Sequence, residues 1–548
     1  MIPLVSAEQM RALDNQTIEK LGIAGGVLME TAGRGVVEVL WRLHREGALD
    51  LFAGQVVVVA GPGNNGGDGM VVARYLHSSG VTVKLLLCAE RARVKGDALR
   101  HLQAAEELGV LISEHSGDSR VTVVVEHLTQ LSKRDIVVDA LLGTGLSRPA
   151  EGPLQRVILA INDSAAVKLS VDLPSGMDAD RGLPADSADP PAVVRADYTV
   201  TLGFCKLGLA SAPGFVFAGK QYLVDIGIPA TFAAQHGVCA RLLDESCLQR
   251  LLQPRSPLGH KGSHGHLLVI AGSRGKTGAA QLCTKAALTV GVGLCSLAVP
   301  AEVLDAIVAQ LPMEAMTQPY DADSPTLSSQ LLTLAAGKQA LVIGPGLPVS
   351  GQMKQSLLDL LAQGTTPLVL DADALNQLCG EDAALLRATQ LGRQVVLTPH
   401  PGEAARLLGW TVAQLQADRL RSAQQLCQRT GAVVVLKGAR TLIVAPAGAD
   451  TKQVSLSVCP TGNAGMGSGG MGDVLAGMVG ALLTAGWPAY EAACAAVYWH
   501  GFAGDCTARL RAVGSVLLAG DLIGSLDTAR KAALHQHGRQ RQWPVMPL

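Results

Sequence analysis

The sequence predicts an α/β protein built as two three-layer α/β/α domains, and three observations carry that expectation. Short apolar runs alternate with helical stretches along all 548 residues, the pattern of a parallel sheet covered on both faces. The alternation stops and restarts once, around PRSPLGHKGSHGH at residues 254–266, a Pro-, Gly- and Ser-rich break. Each half also carries its own glycine-rich stretch, and the two stretches differ in sequence.

In chain order, Ser6-x-x-Gln9 is a capping box that opens a helix through about Lys20, and a second helix covers residues 26–44. A strand at 55–60, the glycine loop GPGNNGGDG at 61–69, a helix at 70–78 and a strand at 81–88 follow. Apolar runs at 136–142, 168–173 and 198–202 complete a first domain over residues 1–225. Periodicity is then lost, and residues 226–265 read as a linker. The second domain, 266–535, shows strands at 267–271, 341–344, 368–370, 395–397 and 433–436, with a helix at 277–290. NAGMGSGGMGD at 463–473 precedes an apolar helix from Val474, and residues 536–548 read as a frayed polar tail.

Composition narrows the function. A net charge of −1 gives no footprint for nucleic acid or an anionic membrane, and 3% aromatics leave few stacking platforms. Eleven cysteines without a CxxC pair read as reduced thiols in a cytoplasmic setting. The opening MIPLVSAEQMRALDN shows no secretory signal. Residues 474–490 are uncharged but interrupted by Gly477, Gly480, Gly486 and Pro488, so a buried core helix is expected there rather than a span. No nucleic acid and no membrane is expected as a partner; a homo-oligomer is.

Three polar loops follow strands in the first half: GPGNNGGDG, DALLGTGLSR at 139–148, and VDLPSG at 171–176. Ligands of open parallel sheets bind at the carboxyl ends of strands, so the loops can share one cleft. Glycine turns would hold a pyrophosphate, Arg148 could pair with phosphate, and a carboxylate would remain for acid–base chemistry. The first loop lacks GxGxxG, which disfavours a hydride-transferring dinucleotide domain. Asp139 and Asp172 could each be helix caps instead.

NNGGDG, GTG-x-x-R and VDLPSG, behind a leading pair of helices, resemble the YjeF N-terminal family of NAD(P)H-hydrate epimerases over roughly residues 1–225. The resemblance implies a Rossmann-like fold. It implies that Asn64, Asn65, Gly66, Gly67 and Asp68 grip the phosphates of the hydrated nucleotide, with Gly143, Thr144, Gly145, Leu146, Ser147, Arg148 and Pro149. Asp172 would contact the damaged nicotinamide as the catalytic residue. Asn65, Asp139 and Ser175 would coordinate a potassium ion, which suits hard oxygen donors.

In the second half, Gly465, Gly467 and Gly470 match GxGxxG, and Glu491 lies near the spacing of a ribose-binding acid. Glu491 belongs to the helical run EAACAAVYWH, however, and no clean strand precedes the glycines, so the dinucleotide reading is rejected. An anion hole fits better: Gly469, Gly470 and Gly472 would offer N–H groups to a phosphoryl group in transfer, and Asp473 would be the base. A plain N-cap is the alternative role for Asp473. AGS (271–273), GPGL (344–347), DADALN (371–376), TPHPGE (398–403) and KGART (437–441) stand at further strand ends.

In that order these motifs resemble the ribokinase-like superfamily, and more narrowly the ADP-dependent NAD(P)H-hydrate dehydratases, over about residues 266–530. The resemblance implies ADP binding by Lys437, Gly438, Ala439, Arg440 and Thr441. It extends that role to Asn463, Ala464, Gly465, Met466, Gly467, Ser468, Gly469, Gly470, Met471 and Gly472. Gly346, His400 and Asp473 would contact the hydrate, and a magnesium ion would accompany ADP. Sugar-kinase relatives often place Asn-x-x-Glu near magnesium; here His400-Pro-Gly-Glu403 stands, which leaves Glu403's role open. His260, His264 and His266 read as linker residues, not a metal site.

Together the resemblances imply a bifunctional repair enzyme for hydrated NADH and NADPH. One half would epimerise the R and S forms, and the other would dehydrate the S form with ADP. A small-alcohol kinase joined to a non-catalytic binding module is the alternative.

Overall fold

Four consecutive valines and an alanine, Val56–Ala60, form a fully buried interior strand of an eight-stranded sheet. In this computed structural model, which describes residues 1–146, 148–185, 187, 190–253, 255–447, 454–512, 514–537 and 545–547, the chain divides into two compact units. One is Pro3–Ala240 with Gln540–Leu548; the other is Arg241–Arg539 with Met1–Ile2. Each is an α/β unit built on its own mostly parallel sheet.

In the first unit the strands lie in the order Val545–Pro547, Lys220–Val224, Tyr198–Leu202, Val167–Val171, Ile136–Ala140, Val56–Ala60, Val83–Leu87, Leu111–Glu114. All neighbours are parallel except Val545–Pro547, which runs antiparallel to Lys220–Val224 and corrects the reading of residues 536–548 as a frayed tail. From Val56–Ala60 the chain winds outward to one edge, then returns to Ile136–Ala140 on the other side. The strand order therefore reverses between these two strands, and their carboxyl ends open the crevice where such sheets bind ligands.

The second unit runs Ala315–Tyr320, Leu294–Pro300, His266–Ile270, Ala340–Ile343, Leu368–Leu370, Val395–Leu397, Val433–Leu436 in parallel. Two antiparallel strands follow, Leu442–Ala445 and Ser455–Val458. Its crevice lies past the ends of His266–Ile270 and the four strands from Ala340–Ile343 onward. Leu243 and Leu248, in the stretch read as linker, are fully buried in this unit's core, and Leu243 N–H donates to Val458 O at 2.9 Å. That corrects the linker: its later part is core.

The apolar helix Met471–Thr484 packs on the sheet rather than on lipid. A Cβ at Gly480 would lie 2.2 Å from Val342 Cγ2, and one at Gly477 2.2 Å from Cys283 O, so these glycines permit close approach. Among the described residues no helix is long and apolar enough to cross a membrane.

Candidate active sites

The first glycine stretch is not a loop. The helix expected at residue 70 begins six residues earlier, as Asn64–Ser78, capped by Gly63. Its glycines serve packing: a Cβ at Gly66 would meet Gly61 O at 1.9 Å, one at Gly67 Met29 Sδ at 2.5 Å, and one at Gly69 Ala140 Cβ at 2.5 Å. The N–H groups of Asn64, Asn65 and Gly66 still head this helix at the sheet's crevice, where a phosphate would find unsatisfied donors and the dipole's positive end. Asp68, which the resemblance places among the phosphate contacts, has a buried side chain. Burial, followed by the charges of Asp172 and Asp14, pushes its carboxyl well above the usual range.

Asp139 likewise lies inside a strand, Ile136–Ala140, and not in the loop after it. It caps no helix. Its Oδ2 accepts from Ser170 Oγ and Ser175 N at 2.8 Å each, and Oδ1 accepts from Ser175 Oγ at 2.5 Å. Burial raises its pKa against these hydrogen bonds. Asn65 Nδ2 donates to Leu142 O at 2.8 Å, which Ser175 Oγ also approaches at 3.3 Å. Asn65 Oδ1 is buried with no partner. Leu142 O thus joins Asn65 to Ser175, and Ser175 in turn joins Asp139, with an orphaned oxygen among them. Gly143 packs on Asn65, a Cβ there lying 3.1 Å from Asn65 Cβ. Thr144, Gly145 and Leu146 continue the turn, Arg148 is exposed and Pro149 half-buried. Ser147 lies outside the described residues.

Asp172 stands at φ 65°, in the left-handed region that few non-glycine residues occupy. The strand Val167–Val171 ends just before it, and its N–H donates to Val200 O at 2.8 Å, so it caps no helix. Its Oδ1 accepts from Leu202 N at 3.1 Å and from Lys206 Nζ. Lys206 is 1% exposed and also donates to Leu202 O at 2.9 Å. Sequence reasoning missed Lys206, because a lone lysine carries no motif. It also missed Asp14, on the helix Ala7–Leu21, whose carboxyl burial raises to about 6, with Lys206 opposing and Asp172 adding to the shift.

In the second unit, Lys437 Nζ donates to Asp371 Oδ1 at 2.7 Å. A Cβ at Gly472 would lie 3.0 Å from that ammonium and 3.8 Å from Asp371 Oδ2. The KGART and glycine stretches therefore meet at this ion pair, although Asp371 stood in the sequence only as part of DADALN. Burial works against the Lys437 charge, yet Asp371 and Glu403 hold its pKa above the ordinary value. Met471, Gly472 and Asp473 form the first turn of Met471–Thr484, whose cap is Gly470 at φ 89°, so Asp473 is no N-cap. Burial, then Asp371, push Asp473 up to about 7 against Lys437. A helix N-terminus favours the anion; here desolvation outweighs it.

The rest of the glycine stretch is pinned from behind. Asn463 Oδ1 accepts from Gly465 N at 3.0 Å and Nδ2 donates to Asp505 Oδ1 at 2.9 Å. Ser468 Oγ donates to Leu517 O at 2.5 Å. Ala464, Gly465 and Met466 make a single tight turn, and Gly467 and Gly469 are exposed. In KGART, Gly438 and Ala439 are exposed, Arg440 takes φ 53°, and Thr441 Oγ1 donates to Gly438 O at 2.8 Å.

His400 caps Pro401–Leu408 through its ring, Nδ1 accepting from Gly402 N at 3.0 Å, while Glu403 Oε2 accepts from His400 N at 2.8 Å. Burial, then Lys437 and Arg406, lower the His400 pKa, which keeps the ring neutral for that role. Glu403 is buried and engaged in the cap, with its pKa raised by burial. Gly346, at φ 62°, packs against the Lys276 carbonyl. No group of three or more His, Cys, Asp or Glu side chains suited to a metal ion occurs among the described residues. His266 lies in a strand, where its Nε2 is 2.8 Å from Ser296 Oγ.

Comparison with known proteins agrees with two separate sites. The family described as YjeF-related protein N-terminus matches residues 25–208, and that described as NAD(P)H-hydrate dehydratase matches residues 267–524. The bifunctional NAD(P)H-hydrate repair enzyme Nnr of Moorella thermoacetica is 39% identical over 95% of this chain and 96% of its own. That of Escherichia coli is 35% identical over 95% and 92%. The chain belongs to the family of bifunctional NAD(P)H-hydrate repair enzymes. A Bacillus subtilis ADP/ATP-dependent NAD(P)H-hydrate dehydratase, crystallised with ATP and magnesium, is 30% identical with a TM-score of 0.44, covering 54% of this chain and 98% of its own. Membership fits what the geometry separates: a carboxylate–lysine pair in one unit, and a carboxylate beside a glycine-headed helix in the other.

Proposed function

We propose that the second unit dehydrates the S epimer of hydrated NADH or NADPH with ADP, and that the first interconverts the R and S epimers. The observation that carries the dehydratase half is the meeting of Lys437, Asp371, Gly472 and Asp473 at one point. ADP lies against Lys437–Thr441 and Asn463–Gly472, with N–H groups of the glycine turn on the transferring phosphoryl. Asp473, near neutrality, takes the proton from the C6 hydroxyl as its oxygen attacks the β-phosphorus, and AMP leaves. Loss of phosphate from C6 and of a proton from C5 then restores the dihydropyridine. Gly346 and His400 hold the hydrate.

In the first unit the nucleotide phosphates bind at the head of Asn64–Ser78 and the turn from Gly143 to Pro149. Asp172, fixed by Lys206, moves the proton when the C6 configuration inverts. Potassium fits between Asn65, Asp139 and Ser175, since Asn65 Oδ1 is buried without a partner and the donors are hard oxygens. Bound there, the ion adds positive charge beside the phosphate-binding turn. Magnesium suits the second unit as an ion held mainly by nucleotide phosphates and water, with few protein carboxylates. Eleven free cysteines support a reducing, cytoplasmic setting.

The test supplies purified protein with mixed hydrate epimers and ADP, ATP or neither, following recovery of dihydronicotinamide absorbance. Full conversion of both epimers with ADP is expected. Phosphorylation of a small alcohol by ATP, with the hydrates untouched, would overturn the reading.

A further inference from the structure

Behind the turn assigned to ADP sits a charge that no described residue neutralises. Arg419, 7% exposed, opens the helix Arg419–Thr430. Its Nη2 donates to Lys437 O at 3.2 Å and its Nη1 to Gln416 Oε1 at 3.1 Å; Nε is buried with no partner. A Cβ placed on Gly438, at φ 133°, would lie 3.1 Å from Nη2 and 3.2 Å from Nη1. The guanidinium is therefore pressed against the backbone of the Lys437–Gly438 turn.

Both of its partners are neutral. Among the described residues its side-chain partners are Gln416 and the Lys437 carbonyl, and the adjacent Asp418 caps the helix by accepting from Arg421 N at 3.0 Å. Burial alone acts on it, lowering its pKa. An enclosed cation without a counter-ion is costly, and a cation in the first turn of a helix also meets the unfavourable end of the dipole. Two such costs at one residue point to a compensating anion that none of the described residues provides. Gly438 and Ala439, in the turn that the guanidinium supports, are exposed and belong to the stretch assigned to ADP.

We infer that Arg419 is a positioning residue for the nucleotide, holding the Lys437–Gly438 turn and supplying fixed positive charge to the phosphates of a nucleoside diphosphate. The inference rests on the ADP reading above. It differs from a purely structural role in one respect: its contribution must grow with the number of phosphates.

Calorimetric titration of the full chain with adenosine, AMP and ADP separates the two roles. For Arg419→Met, ADP affinity falls about tenfold, AMP affinity less, and adenosine affinity changes by under about twofold. Arg419→Lys, which keeps the charge and loses the fork, recovers most of the ADP affinity. Equal loss for all three ligands, no loss for any, or failure of lysine to restore the phosphate-dependent part would each overturn the inference. Absence of ADP binding by the unaltered protein would overturn the nucleotide reading and this inference together.

Discussion

Lys437 holds Asp371 at 2.7 Å, and the same ammonium lies 3.0 Å from where a side chain at Gly472 would begin. Glycine here lets the first turn of Met471–Thr484 approach the ion pair without displacing the lysine. Asp473, the next residue, is thereby placed beside a carboxylate whose charge is already matched by lysine, and it keeps a proton that an exposed aspartate would lose.

Asp473→Asn should lower dehydration about a hundredfold or more while leaving ADP affinity in place, since the proposed nucleotide site uses backbone donors and Lys437. In the unaltered protein the rate should rise with pH through about 7, the value to which burial lifts this carboxyl. That limb should vanish in the variant. Stability gives an independent check. The native carboxyl titrates near 7 against 3.8 for the free group, so the native state binds more protons between these values. Stability of the ligand-free protein therefore falls as pH rises from about 4 to about 7, then levels off. Asn removes that loss, on the order of 4 kcal/mol at pH 8. A joint fall of ADP affinity and turnover would make Asp473 a nucleotide ligand instead.

Asp172→Asn should abolish epimerisation and leave dehydration of the S epimer unchanged. Asparagine tolerates the φ of 65° that Asp172 adopts, so backbone strain is not added. Lys206→Met should do more harm, because it leaves a buried carboxylate without its cation; a loss of about 3–5 kcal/mol is expected. Denaturant melts of both variants, beside the epimer assay, distinguish lost chemistry from lost fold. Unchanged epimerisation in Asp172→Asn would remove this residue from the mechanism.

Most sheet strands were legible because buried parallel strands are short apolar runs, as in Val56–Ala60 and Val433–Leu436. Ala315–Tyr320 was not, since an edge strand carrying Thr317, Gln318 and Pro319 has no such run. The glycine stretch at 61–69 was read as a loop because glycine marks turns far more often than helix packing, yet here it admits Met29 and Ala140 against a helix. Lys206 and Asp14 were invisible for a different reason. They meet only because Leu4 and Val5 pair with Cys205 and Lys206, two hundred positions away in sequence. Spacing cannot show that.

Asn65 offers a test of potassium that needs no turnover. A cation that binds the native state alone stabilises it in proportion to its occupancy. Potassium should raise the melting transition of the unaltered protein above that in a matched large organic cation, and the increment should disappear in Asn65→Ala. Asp139→Asn would be a poorer probe, since Asp139 also holds Ser170 and Ser175 in place. An increment that survives in Asn65→Ala would place any potassium site elsewhere.

Division of labour between the units follows from where each core ends. A chain cut at Gly259 would lose Leu243 and Leu248, both buried with the second unit's strands and helices. Burying one leucine is worth roughly 2 kcal/mol, and removing both leaves a cavity as well. A chain starting at Arg241 keeps them. It should fold, consume the S epimer with ADP, and leave the R epimer to slow spontaneous inversion, because Asp172 and Lys206 are absent from it. Adding back the first unit should restore rapid use of R without altering the rate on S. Equal and rapid consumption of both epimers by the shortened chain alone would show that epimerisation does not need Asp172's unit at all.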